Sequence, residues 1–106
     1  MKVVLSDQAE ADLETIADWI AKDSPRRAVA FVGELKARCG ALARFPARYP
    51  VIVKRNARAI RRCVHRNHLI LFEFDGAADV MVVRILHGAQ DYLALLDATS
   101  TVNEDG

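Results

Sequence analysis

Between Ala9 and Leu42 apolar residues recur every three or four positions, and the repeat is broken once, at Asp23-Ser24-Pro25. This feature constrains the chain more than any other. In the first stretch Ala9, Leu13, Ile16 and Ile20 form one stripe, with Ala17 beside it. In the second, Ala28, Val32, Leu35, Cys39 and Leu42 form another, widened by Phe31. Such spacing places side chains on one face of an α-helix. Ser24 is a good N-cap, and Pro25 suits the first helical position, where no amide proton is needed. So short a break forces the two helices to fold back as a hairpin. Both stripes then need a flat apolar surface to cover them, and a sheet supplies one. Ser6 or Asp7 is expected to cap the first helix, with Asp7 and Glu10 spaced as a capping box. Gly33 and Gly40 each cost the second helix about 1 kcal/mol relative to Ala, and are expected to let the helices approach closely.

The remainder reads as strands. Lys2 to Leu5 is a short apolar run ahead of the first helix. Arg44 to Pro50 carries Pro46 and Pro50 and reads as a loop, because proline cannot sit in a helix interior. Val51 to Val53 then makes a short edge strand, Ala57 to Val64 a strand with interleaved bases, and His68 to Phe74 the most apolar strand. Asp75-Gly76 signals a turn, and Val80 to Leu86 is the return strand. Strands joined by tight turns run antiparallel. The predicted class is α+β: an N-terminal strand, a helical hairpin, then a small antiparallel sheet of three or four strands. The 106 residues leave room for one domain, placed at residues 1–97, with a polar and disordered tail expected at 98–106.

The hydrophobic fraction of 52% is enough for a core and excludes a disordered chain. No apolar run approaches the ~18 residues of a membrane span. The apolar start of the chain is too short for a signal peptide, so a cytoplasmic protein is expected. Cys39 and Cys63 form neither a CxxC nor a zinc pattern, and read as two small buried side chains. There is no glycine-rich phosphate loop, no GxSxG elbow and no HExxH, so neither metal nor cofactor is expected. Ser6 and Ser24 are helix caps and Ser100 lies in the tail, which leaves no serine nucleophile.

Charge is balanced overall, at +1, but strongly segregated. Asp7 to Asp23 holds six acids and one base, read as a solvated helix face. Lys54 to His68 holds six bases and no acid. A basic surface of this kind attracts an anionic partner, either an acidic protein or a nucleic acid. The candidate binding residues are Arg58, Arg61 and Arg62, with Arg84 on the last strand and His87 and Tyr92 beyond it. Strand alternation places Arg61 on the opposite face from Arg58 and Arg62. Arg and His together also suit general acid–base cleavage of RNA.

Several blocks resemble the ParE branch of the RelE/ParE toxins of type II toxin–antitoxin systems: Leu5-Ser6, Asp12-Leu13, Ser24-Pro25, Phe45-Pro46, Arg61-Arg62, Ile70-Leu71-Phe72 and, most specifically, Arg84-Ile85-Leu86-His87-Gly88 followed by Asp91. The resemblance covers Val3 to about Asp91. It implies the fold already read from the residues, a ParD-like antitoxin as partner, DNA gyrase as target, and a role in plasmid stabilisation. The RelE branch instead cleaves mRNA on the ribosome, with an Arg shortly after the strand-ending Gly and a Tyr further on. Here Ala89 and Gln90 follow Gly88, and Leu96 stands where that Tyr would fall. The expectation is therefore a gyrase inhibitor that is not an enzyme. The alternatives are a RelE-type endoribonuclease and an inactive member that only binds antitoxin.

Overall fold

The computed structural model describes residues 1–55, 58–74, 76 and 79–88. The elements run β1 (Val3–Leu5), α1 (Asp7–Ala21), α2 (Pro25–Ala41), a 3-10 turn (Pro46–Arg48), β2 (Val51–Arg55), β3 (Arg58–His65), β4 (His68–Glu73) and β5 (Val80–His87). The α+β class and the helical hairpin are as the sequence predicts. The sheet is larger than expected, with five strands in the order β1-β5-β4-β3-β2. It is also mixed, because β1 pairs in parallel with β5, Val3 to Val80 and Leu5 to Val82. The hairpin-linked strands β2 to β5 are antiparallel. The helical hairpin is long enough to carry the chain across the sheet, so β1 can join β5 in parallel.

Local chemistry explains the helix limits. Ser6, rather than Asp7, caps α1: its Oγ accepts from the Ala9 amide at 3.1 Å. The same hydroxyl donates to the Val83 carbonyl at 3.0 Å, tying the helix start to β5. Ser24 caps α2 by accepting from the Arg27 amide, with Pro25 as the first helical residue. Gly33 and Gly40 do not face α1. A Cβ at either would meet nothing within 4 Å, so neither glycine serves close packing.

One core lies between the hairpin and the sheet. Ala9, Leu13, Leu35, Cys39 and Leu42 meet Cys63, Ile70, Phe72, Val80, Val82 and Ile85 there. Both thiols are free and buried, and burial followed by the neighbouring Cys63 pushes the Cys39 thiol up to about 11. The other face of the sheet is also apolar. Ile60, Leu69, Leu71 and Leu86 are buried on it, with Ile52, Val53 and Val83 packed against them. The sequence places Arg58 and Arg62 on one face of the sheet and Arg61 on the other. Alternation from Cys63 puts only Arg62, among the candidate arginines whose side chains are described, on this side.

Two irregularities adjust the sheet. Ile52 is an extra residue in β2, between the Val51–Arg61 and Val53–Ile60 pairs. Val83 is extra in β5, between the Leu71–Arg84 and Phe72–Val82 pairs. A bulge re-aims the side chains beside it. Here Val83 joins the outer cluster while Arg84 reaches α1.

Candidate functional site

The site is a groove of about 1200 Å³ between α1, α2 and the end of the sheet. Its anchor is an ion pair. The Arg84 Nε donates to Asp12 Oδ2 at 2.9 Å and its Nη2 donates to Oδ1 at 3.0 Å. Asp12 Oδ2 also accepts the Ile85 backbone amide at 2.9 Å. Both side chains are close to fully buried, at 12% and 10% exposure. A buried carboxylate needs such saturation, because desolvation without partners costs several kcal/mol. Asp12 was read from the sequence as part of a solvated acidic face. It falls instead between Ala9 and Ile16, on the buried stripe, and that position is the signal that could have identified it.

Around this anchor the walls are partly apolar. Trp19 stands at the α1 rim with 70% of its surface exposed, and the Lys22 ammonium lies 5.2 Å from its ring centroid. Ile16 and Ile20 sit beside it, and Phe31 faces them from α2. At 100° per residue, Glu10, Glu14 and Asp18 point to the far side of α1. The groove side of α1 therefore presents Gln8, Thr15 and Trp19, and its one carboxylate is already bonded.

The far end of the groove is built from imidazoles. Phe31 lies 5.0 Å from the His68 ring and 6.0 Å from the His65 ring. His68 meets His87 edge-on at 5.3 Å, across the β4–β5 pair. Burial first, then the nearby His87 and His65, hold the His68 imidazole below its ordinary value. Its Nδ1 is buried and has no hydrogen-bond partner among the described residues. Glu34 Oε1 accepts from the Arg66 Nε at 3.0 Å and lies 3.1 Å from the His65 Nε2. Those bonds, Arg66 first and His65 second, keep the Glu34 carboxyl below its usual range.

This end is shaped by a two-residue turn at Arg66-Asn67, with Arg66 left-handed at φ 55°. Gly88 closes onto it, its amide donating to the Asn67 carbonyl at 2.6 Å. A Cβ on Gly88 would stand 3.0 Å from that carbonyl oxygen. The glycine that ends the Arg84-to-Gly88 block therefore suits a close backbone approach, where a Cβ would be tight against the Asn67 carbonyl.

The candidate residues named from the sequence are not brought to one place. Arg84 and His87 line the groove. Arg61 faces the helix side and donates from Nη1 to the carbonyls of Ala47 at 3.1 Å and Tyr49 at 2.6 Å, so it fastens the loop before β2. Arg62 lies on the opposite face by alternation. Arg58 pairs with Arg55 in the β2–β3 register, and its side chain is outside what is described. Tyr92, the apolar stretch after it and the tail at 98–106 lie outside the described residues. Sequence reasoning missed Trp19, Arg27, Phe31, Glu34 and His68 as members of one site. Arg27, Phe31 and Glu34 share one face of α2 at spacings of four and three, a signal the sequence does carry, but no local pattern links them to Trp19 on α1 or His68 on β4. Among the described residues, no group of three His, Cys, Asp or Glu could hold a metal ion, and no helix is long and apolar enough to cross a membrane.

Comparison with known proteins agrees with this architecture. A family model for the ParE toxin of type II toxin–antitoxin systems, parDE, matches residues 3–92. A solved structure described as a chromosomal ParDE TA system from P. aeruginosa superposes with a TM-score of 0.68. It is 19% identical, and the match covers 82% of this chain and 95% of that one. At that identity the likeness shows a shared fold. No curated protein matches the sequence.

Proposed function

Because this chain belongs to the ParE toxin family of type II toxin–antitoxin systems, we propose that it is a toxin that inhibits DNA gyrase and is neutralised by a cognate ParD-like antitoxin. The observation that supports a non-enzymatic reading is the use made of two arginines. An RNA-cleaving sheet needs cationic side chains free to meet phosphate in the transition state. Arg84 is instead spent on Asp12, and Arg61 on two loop carbonyls. Arg84 cannot leave its partner without stranding a desolvated carboxylate. In this reading Arg58, Arg62, His87 and Tyr92 are the remaining candidates for contact with gyrase. Localisation in the cytoplasm, where gyrase acts, and a part in plasmid stabilisation belong to the same proposal.

A supercoiling assay with purified gyrase tests the target. The chain should block supercoiling, and added antitoxin, encoded by a small neighbouring gene, should restore it. Expression without antitoxin should produce filamentation and DNA-damage signalling. Unchanged supercoiling together with cleavage of ribosome-bound mRNA would establish the RelE-type reading instead. The histidines beside Arg66 are the feature that favours that second reading. Antitoxin binding with neither activity would mark an inactive member.

A further inference from the structure

We propose that the chain's own C-terminal segment, Tyr92 to Leu96, packs on the face of the sheet that the helical hairpin leaves bare, with its leucines over Leu69, Leu71 and Leu86. The packing belongs to the chain alone and does not depend on the function proposed above. Three observations carry it.

The first is burial. Leu71 has 0% exposure, Leu86 2%, and Ile60 and Leu69 8% each. All four stand on the outer face. The described layers lie on the other side: the hairpin packs on Cys63, Ile70 and Phe72, and the loop before β2 joins that core through Tyr49. A sheet face without a covering layer leaves its side chains in water. Ile52, Val53 and Val83 flank the four buried residues, yet as strand residues they stand beside them and not over them. The burial is complete in the single chain, so neither a second copy nor a partner supplies it.

The second is position. Outside the described residues are 56–57, 75, 77–78 and 89–106. The shorter stretches connect β2 to β3 and β4 to β5, at the end of the sheet where Ile60 pairs with Glu73. Leu69 and Leu86 pair toward the other end, and Gly88 follows two residues after Leu86. Chain leaving Gly88 therefore starts beside the buried cluster. From β5 to β2 there are three strand spacings of about 4.8 Å, or roughly 14 Å. Ten residues, from Ala89 to Ala98, cover about 15 Å as a helix and about 33 Å extended. Either length crosses the face.

The third is composition. Tyr92 and Leu96 are four apart, with Leu93 and Leu95 flanking them, the spacing of one wide apolar stripe. Such a stripe needs an apolar surface, and the outer face is the one the described elements leave bare. Charge agrees. After Gly88 the chain carries Asp91, Asp97, Glu104 and Asp105 and no base, while Arg62 stands on the outer face opposite Leu71. Glu73, on the same face, lies at its far end opposite Ile60. The packing brings Tyr92 and Arg62 to one surface, and only the use of that surface for contact with gyrase rests on the function proposed above.

Methyl NMR of the full chain carrying a spin label tests this. Cys39 and Cys63 are buried, so a label goes to Val64→Cys, an exposed position on the outer face. It should broaden the methyl signals of Leu93, Leu95 and Leu96 at least fivefold more than a label at Val29→Cys, on the exposed side of α2. Equal broadening from the two labels, with the Leu71 methyls still broadened from Val64→Cys, overturns the packing. When labelled chain is mixed with isotope-enriched chain that bears no label, the enriched leucines should stay sharp. Broadening there would assign the segment to a second copy and overturn the proposal. Leu93→Ser combined with Leu96→Ser should bare the outer face, raising the fluorescence of an apolar dye at least twofold while circular dichroism keeps the helix signal. An unchanged dye signal in that folded variant also overturns it. None of these results depends on gyrase, so the family function is tested separately.

Discussion

Asp12 shows how a single residue can hold a fold and disguise itself as surface. It is one of five acids in the first helix, yet it alone receives two bonds from a guanidinium and one from a backbone amide. Removing one partner of a buried pair leaves an uncompensated charge, worth about 3–5 kcal/mol. Asp12→Ala and Arg84→Ala should each lower the unfolding free energy by about that amount in urea titrations. The double variant should cost clearly less than the two single effects added, because the residues share one interaction. Loss of toxicity in Arg84→Ala therefore has to be read beside a stability measurement. His68 makes the opposite prediction. Replacing it by Phe removes a buried Nδ1 that has no hydrogen-bond partner among the described residues and keeps an aromatic ring, so stability should be unchanged or raised by about 1 kcal/mol.

At the scale of elements, α2 is the helix with the clearest room for improvement. Gly33 and Gly40 lie in its interior on exposed positions, and a methyl group at either would touch nothing. Gly33→Ala and Gly40→Ala should each raise stability by about 0.5–1 kcal/mol, through lower backbone entropy in the unfolded chain. Thermal melts of the two variants check this, and a lowered melting temperature would contradict the outward placement. The helix ends behave otherwise. Ser24 holds the Arg27 amide at 3.2 Å, and losing that bond should cost about 1 kcal/mol. Gly88 is a third kind of glycine, favoured because a Cβ there would stand 3.0 Å from the Asn67 carbonyl oxygen.

For the whole molecule, acid is the informative variable. The folded state holds His68 below its ordinary value of 6.5, so the unfolded chain takes up that proton first. Stability is then complete above pH 6.5 and is lost as pH falls through the depressed folded-state value. Glu34 acts in the same direction further down, with full stabilisation above 4.5 and loss below it, screened by its exposure to solvent. Urea midpoints measured from pH 8 to 5 should fall on the acid side, and His68→Phe should flatten the upper part of that profile. The chain by itself should thus be weaker in acid.

The sequence by itself determined the helical hairpin, its Ser24-Pro25 break, the antiparallel run of strands and the family. Each of these depends on periodicity, caps and turns, which act between residues close along the chain. It also located the Arg84-to-Gly88 block, though not the reasons for it. Tertiary structure decided the rest. The parallel place of β1 beside β5 depends on how far the hairpin carries the chain, which no local pattern encodes. The pairing of Asp12 with Arg84 spans 72 positions and relies on an extra residue in β5. Arg61 and Arg62 look alike in sequence, yet the pleat sends one to loop carbonyls and the other to the opposite face. The groove draws Trp19, Arg27, Phe31 and His68 from three elements, and only packing brings such residues within reach of one another.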